Sequence, residues 1–223
     1  MIANQFTGHS VRDIDFSFGA NKTQRSILLY LREWFPLFLK EFDGHFQSNS
    51  KEDDISGVLA LFLQMKMKET NLLIGLNRKW GSDFQLTTDV MMGAEPIFLI
   101  EAKRLPSTST RDYVHHHNKP GGISRFKLEQ SGFGKHLTSS AMFGYVQKYD
   151  FDYLFNQVNM WISDLIESYE GFGLNWAKAD MLIETERSQS VAEYTSVHER
   201  ISENPIHLTH FWLDMIHGEE TGV

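Results

Sequence analysis

The chain has 223 residues, of which 41% are hydrophobic, enough for one domain with a full core and too short for two comfortable ones. It contains no cysteine, which excludes disulfides, thiolate zinc sites and thiol nucleophiles. The net charge of −8 argues against a surface that grips nucleic acid everywhere, because phosphate binding depends on Lys and Arg.

The N-terminal segment MIANQFTGHSVRDIDF has no basic region followed by an apolar core, so it does not match a secretory signal. No apolar run approaches the length that spans a bilayer. We therefore expect a soluble, cytoplasmic protein without a membrane partner.

An amphipathic helix is predicted from Thr23 to Phe42, where apolar residues recur at three- and four-residue spacing. A polar break at 44–50 follows, after which Ser50 is predicted to cap a second helix. Glu52 lies in the first turn of this helix. Either its charge merely interacts favourably with the helix dipole, or its side chain faces the next element of the chain. The second interpretation puts it on the face of Ile55, Ser56 and Leu59. Two further acids compete for that position: Asp53 and Asp54.

A β-hairpin is predicted from two strands of alternating pattern, Phe84 to Met91 and Pro96 to Arg104, with a turn at 93–95. On the second strand Glu101 and Lys103 share a face. With the turn centred near residue 94, Asp89 lies across from Leu99 and diagonal to Glu101, roughly 7 to 8 Å away between backbones. Two carboxylates at that separation can bind one ion.

A long loop, Leu105 to Gly122, follows the hairpin and belongs to a locally basic stretch. Residues 103–135 carry seven Lys or Arg against two acidic residues, a local net charge of +5 in a chain of net charge −8. This stretch is where a phosphate backbone would be held. The run His115 to His117 indicates a polar loop rather than a metal site, because consecutive residues face different ways. The residues predicted to contact nucleic acid are Arg104, Arg111, Lys119, Arg125 and Lys127.

The C-terminal half predicts a helix from Gly122 toward Leu137, a strand at 141–148 and an amphipathic helix from Asp150 to Tyr169. Three strands follow: Met181 to Glu186, Val191 to Arg200 and Ile206 to Asp214. On the middle strand four polar residues share a face, and an exposed edge strand is favoured there over a substrate-contacting face. These residues are Tyr194, Ser196, His198 and Arg200. The chain has no Gly-x-Ser-x-Gly elbow, which argues against a Ser/His/Asp hydrolase.

The pattern of Asp89 followed by Glu101-Ala102-Lys103 resembles that of the PD-(D/E)XK nuclease superfamily, with Thr88 where that family often has proline. The resemblance covers about residues 50–150, with Glu52 as the acid on the preceding helix. It implies an α/β domain with a restriction-endonuclease-like core, in which a mixed central sheet is flanked by helices. The helix at 23–42 and the strands at 181–214 would be additions to this core.

The resemblance also implies an activity: metal-dependent endonucleolytic hydrolysis of phosphodiester bonds, in DNA, in restriction, phage defence or repair. Mg²⁺, with Mn²⁺ as a substitute, would be held by Asp89, Glu101, the carbonyl of Ala102 and Glu52, while Lys103 acts on the attacking water. The alternative is a catalytically quiet nuclease-fold module that binds nucleic acid or a protein partner. A homodimer and a partner subunit both remain open.

Overall fold

The protein is an α/β structure with four α-helices and a mixed sheet in the part that the computed structural model describes. The described residues are 22–70, 72–76, 83–87, 95–106, 111–115, 121–129, 132–168 and 173–216. The α-helices are α1 Lys22–Glu41, α2 Glu52–Lys66, α3 Gly122–Leu128 and α4 Phe151–Ser168. Short 3₁₀ helices lie at Met67–Glu69 and Lys178–Asp180.

The sheet has seven strands in the order β1-β2-β3-β4-β7-β6-β5. Their bounds are β1 Leu73–Leu76, β2 Phe84–Thr87, β3 Phe98–Leu105, β4 Ser139–Val146, β5 Ile183–Arg187, β6 Val191–His198 and β7 Ile206–Asp214. The central strand β4 runs parallel to both β3 and β7, and the other neighbours are antiparallel. All eight residues of β4 are buried, as expected for a strand with helices on both faces.

Two apolar cores cover the two faces of the sheet, and the alternation of β3 connects them. Phe98, Ile100 and Ala102 pack in the core formed with α1 and α2. Leu99 and Leu105 pack in the core formed with α3 and α4. Glu101 has the same parity as these two leucines, which explains why its side chain meets α3. The predicted alternation of this strand is confirmed.

Most predicted elements are confirmed, including both long amphipathic helices and the three C-terminal strands. Three details differ. Lys51, not Ser50, occupies the N-cap of α2 without a side-chain cap, and the Ser50 hydroxyl accepts a hydrogen bond from Gln47 N. Helix α3 ends at Leu128, because Glu129 takes a left-handed conformation. Strand β1 was not predicted; its four residues show little apolar alternation.

The register of the predicted hairpin is also different. Leu99 pairs with Gln85, and Ile100 pairs with Phe84, so Asp89 does not stand across from Leu99. The predicted register was therefore wrong, while the turn predicted at 93–95 falls mostly outside the described residues and stays a prediction. Asp89 itself lies outside the described residues.

Candidate active site

The carboxylate of Asp83 lies beside the Glu101-Ala102-Lys103 segment. Asp83 directly precedes β2, and its backbone N–H donates to the carbonyl of Ile100 at 3.1 Å. Its Oδ2 accepts the N–H of Ala102 at 2.6 Å. The side chain thus continues the β2–β3 ladder one step beyond the strand, and this holds the carboxylate next to Glu101 and Lys103.

Glu52 reaches the same place from the first turn of α2. One of its oxygens accepts from Lys103 Nζ at 3.1 Å and the other from the backbone N–H of Arg104 at 3.1 Å. One turn further on, the Ser56 hydroxyl bonds the buried Tyr145 hydroxyl on β4 at 2.9 Å, which fixes this end of α2 to the sheet. The predicted orientation of Glu52 toward the hairpin is confirmed, and Asp53 and Asp54 are exposed.

The ammonium of Lys103 is surrounded by oxygen atoms. Its Nζ lies 2.9 Å from Glu101 Oε1, 3.1 Å from Glu52 Oε1 and 3.7 Å from Asp83 Oδ2. It also donates to the carbonyl oxygen of Ala102 at 2.5 Å. The Lys103 side chain is only 16% exposed, so protein oxygens rather than water make most of the contacts of its ammonium group. Lys103 therefore occupies the position of a cation among three carboxylates.

The proton affinities in this cluster follow from burial and charge. Burial raises the pKa of Asp83 to about 7, and the neighbouring Lys103 only partly offsets that effect. Burial lowers the pKa of Lys103, but Glu101, Asp83 and Glu52 outweigh it and raise that pKa above its ordinary value. Lys103 is thus an ammonium at neutral pH, suited to orienting a water or a phosphate rather than to removing a proton.

Glu101 is 1% exposed and has a second cation, the guanidinium of Arg125 on α3. Arg125 Nη1 donates to both carboxylate oxygens, at 3.0 and 2.8 Å. The guanidinium also lies over the ring of Phe133, 4.9 Å from its centroid. Arg125 was predicted to contact nucleic acid; in this structure its partner is the carboxylate.

The structure brings Glu52, Glu101, Ala102 and Lys103 together, as predicted, and adds Asp83, which the sequence interpretation missed. The sequence contained one indication that Asp83 belongs to the site, namely that it immediately precedes an apolar strand. Continuing the observed pairing of Phe84 with Ile100 by one residue sets Asp83 opposite Glu101. Asp89 lies outside the described residues, so its assignment stays a prediction.

The residues that were predicted to contact nucleic acid lie in different surroundings. Arg104 is partly exposed beside the site. Arg111 is 35% exposed and pairs with Asp164 at 2.6 Å. Lys119 lies outside the described residues. Lys127 was wrongly assigned to the surface: it is fully buried, bonds Asp180 at 2.6 Å and lies over the ring of Trp176.

The polar face of β6 forms a buried hydrogen-bonded chain rather than an exposed edge. Strand β6 lies between β5 and β7. The Ser196 hydroxyl bonds His198 Nε2 at 2.6 Å and His210 Nε2 at 2.7 Å. His198 Nδ1 bonds Asp180 at 2.5 Å, and His210 Nδ1 bonds the Tyr113 hydroxyl at 2.8 Å.

This series of hydrogen bonds joins Asp180, His198 and Ser196 in the order of a hydrolase triad. Its serine and histidine, however, are not accessible to a substrate. Ser196 is 2% exposed and His198 is 0% exposed. Trp212 Nε1 donates to the Tyr113 hydroxyl at 2.9 Å. If each imidazole is neutral and carries one proton, every group in this series donates a hydrogen bond to the next one, from Trp212 to Asp180. Burial lowers the pKa of both His198 and His210, in agreement with that arrangement.

The oxygen atoms around Lys103 belong to carboxylates and to a carbonyl, which are the kinds of ligand that Mg²⁺ prefers. Among the described residues, no three His, Asp or Glu side chains are grouped closely enough to hold an ion as they stand. The carboxylates are spread around the ammonium, so binding an ion would require Lys103 or Arg125 to withdraw. These residues are therefore of the chemical type that binds Mg²⁺, but in this structure the Lys103 ammonium lies among them.

Comparison of the chain with protein families, with curated proteins and with solved structures found no match. Within the described residues, none of the helices combines the length and the apolar character that crossing a membrane requires.

Proposed function

We propose that this chain is a metal-dependent endonuclease that hydrolyses phosphodiester bonds in DNA, with a restriction-endonuclease-like core. The observation that carries the proposal is the set of oxygens from Glu52, Asp83, Glu101 and Ala102 around one cation. The order of α2, three antiparallel strands, α3 and the parallel strand β4 supports the same fold.

Each residue would have a distinct task. Asp83, Glu101 and the Ala102 carbonyl would hold Mg²⁺ or Mn²⁺, and Glu52 would position a water. The ion would lower the pKa of water and offset charge on the phosphate. Lys103, an ammonium with a raised pKa, would orient the attacking water and neutralise charge that develops on the phosphate oxygens. The hydrogen bond from the Ala102 N–H to Asp83 would help to keep these groups in place before substrate arrives.

The direct test is cleavage of supercoiled plasmid with Mg²⁺ or Mn²⁺, beside the same reaction in EDTA. Wild-type protein should nick or linearise the plasmid only with metal, and Glu101→Gln should not. Absence of cleavage with either metal by the wild-type protein, combined with absence of metal binding in calorimetry, would reject the proposal.

A second candidate is a catalytically quiet nuclease-fold module that binds nucleic acid or a protein. The observation that favours it is the engagement of both Glu101 oxygens by Arg125 and Lys103, which neutralises the carboxylate without any metal. Under this alternative the protein binds DNA with the same affinity in Mg²⁺ and in EDTA.

A further inference from the structure

The Glu101 carboxylate is fully engaged by the protein's own cations. Arg125 Nη1 contacts both oxygens, and Lys103 Nζ contacts Oε1 at 2.9 Å. The carboxylate is 1% exposed, so water does not compete for it. A metal ion cannot bind Glu101 beside two cations without strong repulsion at these short distances. Metal binding therefore requires one of the two to leave.

The two cations differ in how firmly they are held. Lys103 has oxygen contacts to four residues, three of them carboxylates, and lies on strand β3, between β2 and β4 in the sheet. Within the described part of the chain, the hydrogen bonds of the Arg125 side chain go to Glu101 alone. Arg125 is 22% exposed and lies on the short helix α3. Arg125 is the cation that can exchange.

We propose that Arg125 is an exchangeable counter-ion, which pairs with Glu101 when no metal is bound and transfers to a DNA phosphate when metal enters. This rests on the proposed function. A planar guanidinium pairs with a phosphate as well as with a carboxylate, because its donors match both forks. A DNA phosphate that takes Arg125 frees Glu101 for the metal, and a metal at Glu101 frees Arg125 for the phosphate.

The consequence is positive coupling between metal and DNA binding. By linkage, DNA raises metal affinity by the same factor by which metal raises DNA affinity. Couplings of this kind are typically about 5- to 150-fold. Removing Arg125 should remove most of the coupling, because neither ligand then has to displace it. Metal affinity without DNA should rise at the same time, since a competing cation is gone.

The test is calorimetric titration of Mn²⁺ into the protein, alone and with a short phosphorothioate duplex that resists hydrolysis. The variants are Arg125→Gln, which removes the charge, and Arg125→Lys, which keeps it. Arg187→Gln is the matched control, because Arg187 is a partly exposed, ion-paired arginine on β5 at the far edge of the sheet.

Wild type and Arg187→Gln should bind Mn²⁺ about 5- to 150-fold more tightly with DNA. Arg125→Gln should bind Mn²⁺ more tightly than wild type without DNA and gain little from DNA, with Arg125→Lys between the two. If Arg125→Gln binds Mn²⁺ as wild type does in both conditions, or more weakly, the exchange is wrong while the nuclease proposal stands. If wild type binds no Mn²⁺ in either condition, both proposals fail.

Discussion

The carboxylate of Asp83 accepts the backbone N–H of Ala102 at 2.6 Å, across the end of the β2–β3 ladder. This contact, rather than proximity in sequence, makes Asp83 part of the Glu101-Ala102-Lys103 site. The pKa of Asp83 is nonetheless raised, because burial of the carboxyl, together with the nearby charges of Glu101 and Glu52, outweighs the lowering effects of Lys103 and of this hydrogen bond.

Asp83→Asn should abolish metal-dependent cleavage and leave the fold intact, because Asn keeps the acceptor for Ala102 N–H and removes the charge. Loss of a metal-binding carboxylate should lower the single-turnover rate by more than the about 10- to 100-fold that is typical for groups that only support a metal ligand. Asp89→Asn is the matched comparison: it should cleave at the wild-type rate if Asp83 is the motif acid. Inactivity of Asp89→Asn together with full activity of Asp83→Asn would reverse the assignment.

The same variant has a predicted effect on stability. The folded pKa of Asp83, about 7, exceeds its unfolded value, so ionising the carboxyl opposes folding, and stability falls as pH rises from about 4 to 7. In EDTA, Asp83→Asn should therefore be more stable than wild type at pH 8, with a smaller difference at pH 5. Urea denaturation at the two pH values measures this, and an unchanged difference would contradict the pKa assigned to Asp83.

Lys103→Met should separate structural from chemical roles. Without metal, it leaves the carboxylates of Glu52, Asp83 and Glu101 with less neutralising charge, and removing one partner of a buried ion pair costs roughly 3–5 kcal/mol. Added Mg²⁺ should raise the melting temperature of the variant more than that of wild type. Turnover should fall by about 10²- to 10⁴-fold with metal binding retained. Near wild-type cleavage, or loss of metal binding as complete as in Glu101→Gln, would show that the role is misassigned.

Protein stability should fall below pH 6.5 because of the buried histidines. Burial lowers the folded pKa of His198 and His210, so the unfolded chain takes up protons that the folded chain does not. Stability is therefore full above the unfolded pKa of about 6.5 and declines as pH falls toward the folded values. Asp83 acts in the opposite direction, so the measurement belongs in the Asp83→Asn background.

Urea denaturation between pH 7 and 5 gives the number of protons taken up. His210→Gln keeps a donor and an acceptor and removes one titrating ring, so it should reduce the slope by up to about one proton, or 1.4 kcal/mol per pH unit. An unchanged slope would mean that His210 is already charged in the folded protein.

The basic residues should divide into a surface group and a buried one. Arg111→Gln should lower the slope of log DNA affinity against log salt by about one, because one phosphate contact is lost. Lys127→Met should leave that slope unchanged and instead destabilise the fold by roughly 3–5 kcal/mol, because buried Asp180 loses its ion pair. A reduced salt slope in a stably folded Lys127→Met protein would contradict its burial.

The apolar periodicity of the sequence determined the long helices, the C-terminal strands and the alternation of β3, because each depends on local spacing that one element carries by itself. For the same reason the sequence was sufficient to put Glu101 and Lys103 on one face. The orientation of Glu52 toward the hairpin was predicted only from the family resemblance, because the residues alone left Asp53 and Asp54 as competitors. The short apolar pattern of β1 was too weak to predict a strand.

Tertiary structure alone decided which acid meets Glu101 and which basic residues remain at the surface. The observed pairing of β2 with β3 puts Asp83 beside Glu101, where the sequence interpretation had expected Asp89, and such a register is fixed by which side chains pack on each face of the sheet. Arg125 and Lys127 are two positions apart on α3, yet one bonds Glu101 and the other bonds buried Asp180. Those partners come from distant segments of the chain, and only the tertiary packing of α3 on the sheet brings them within reach.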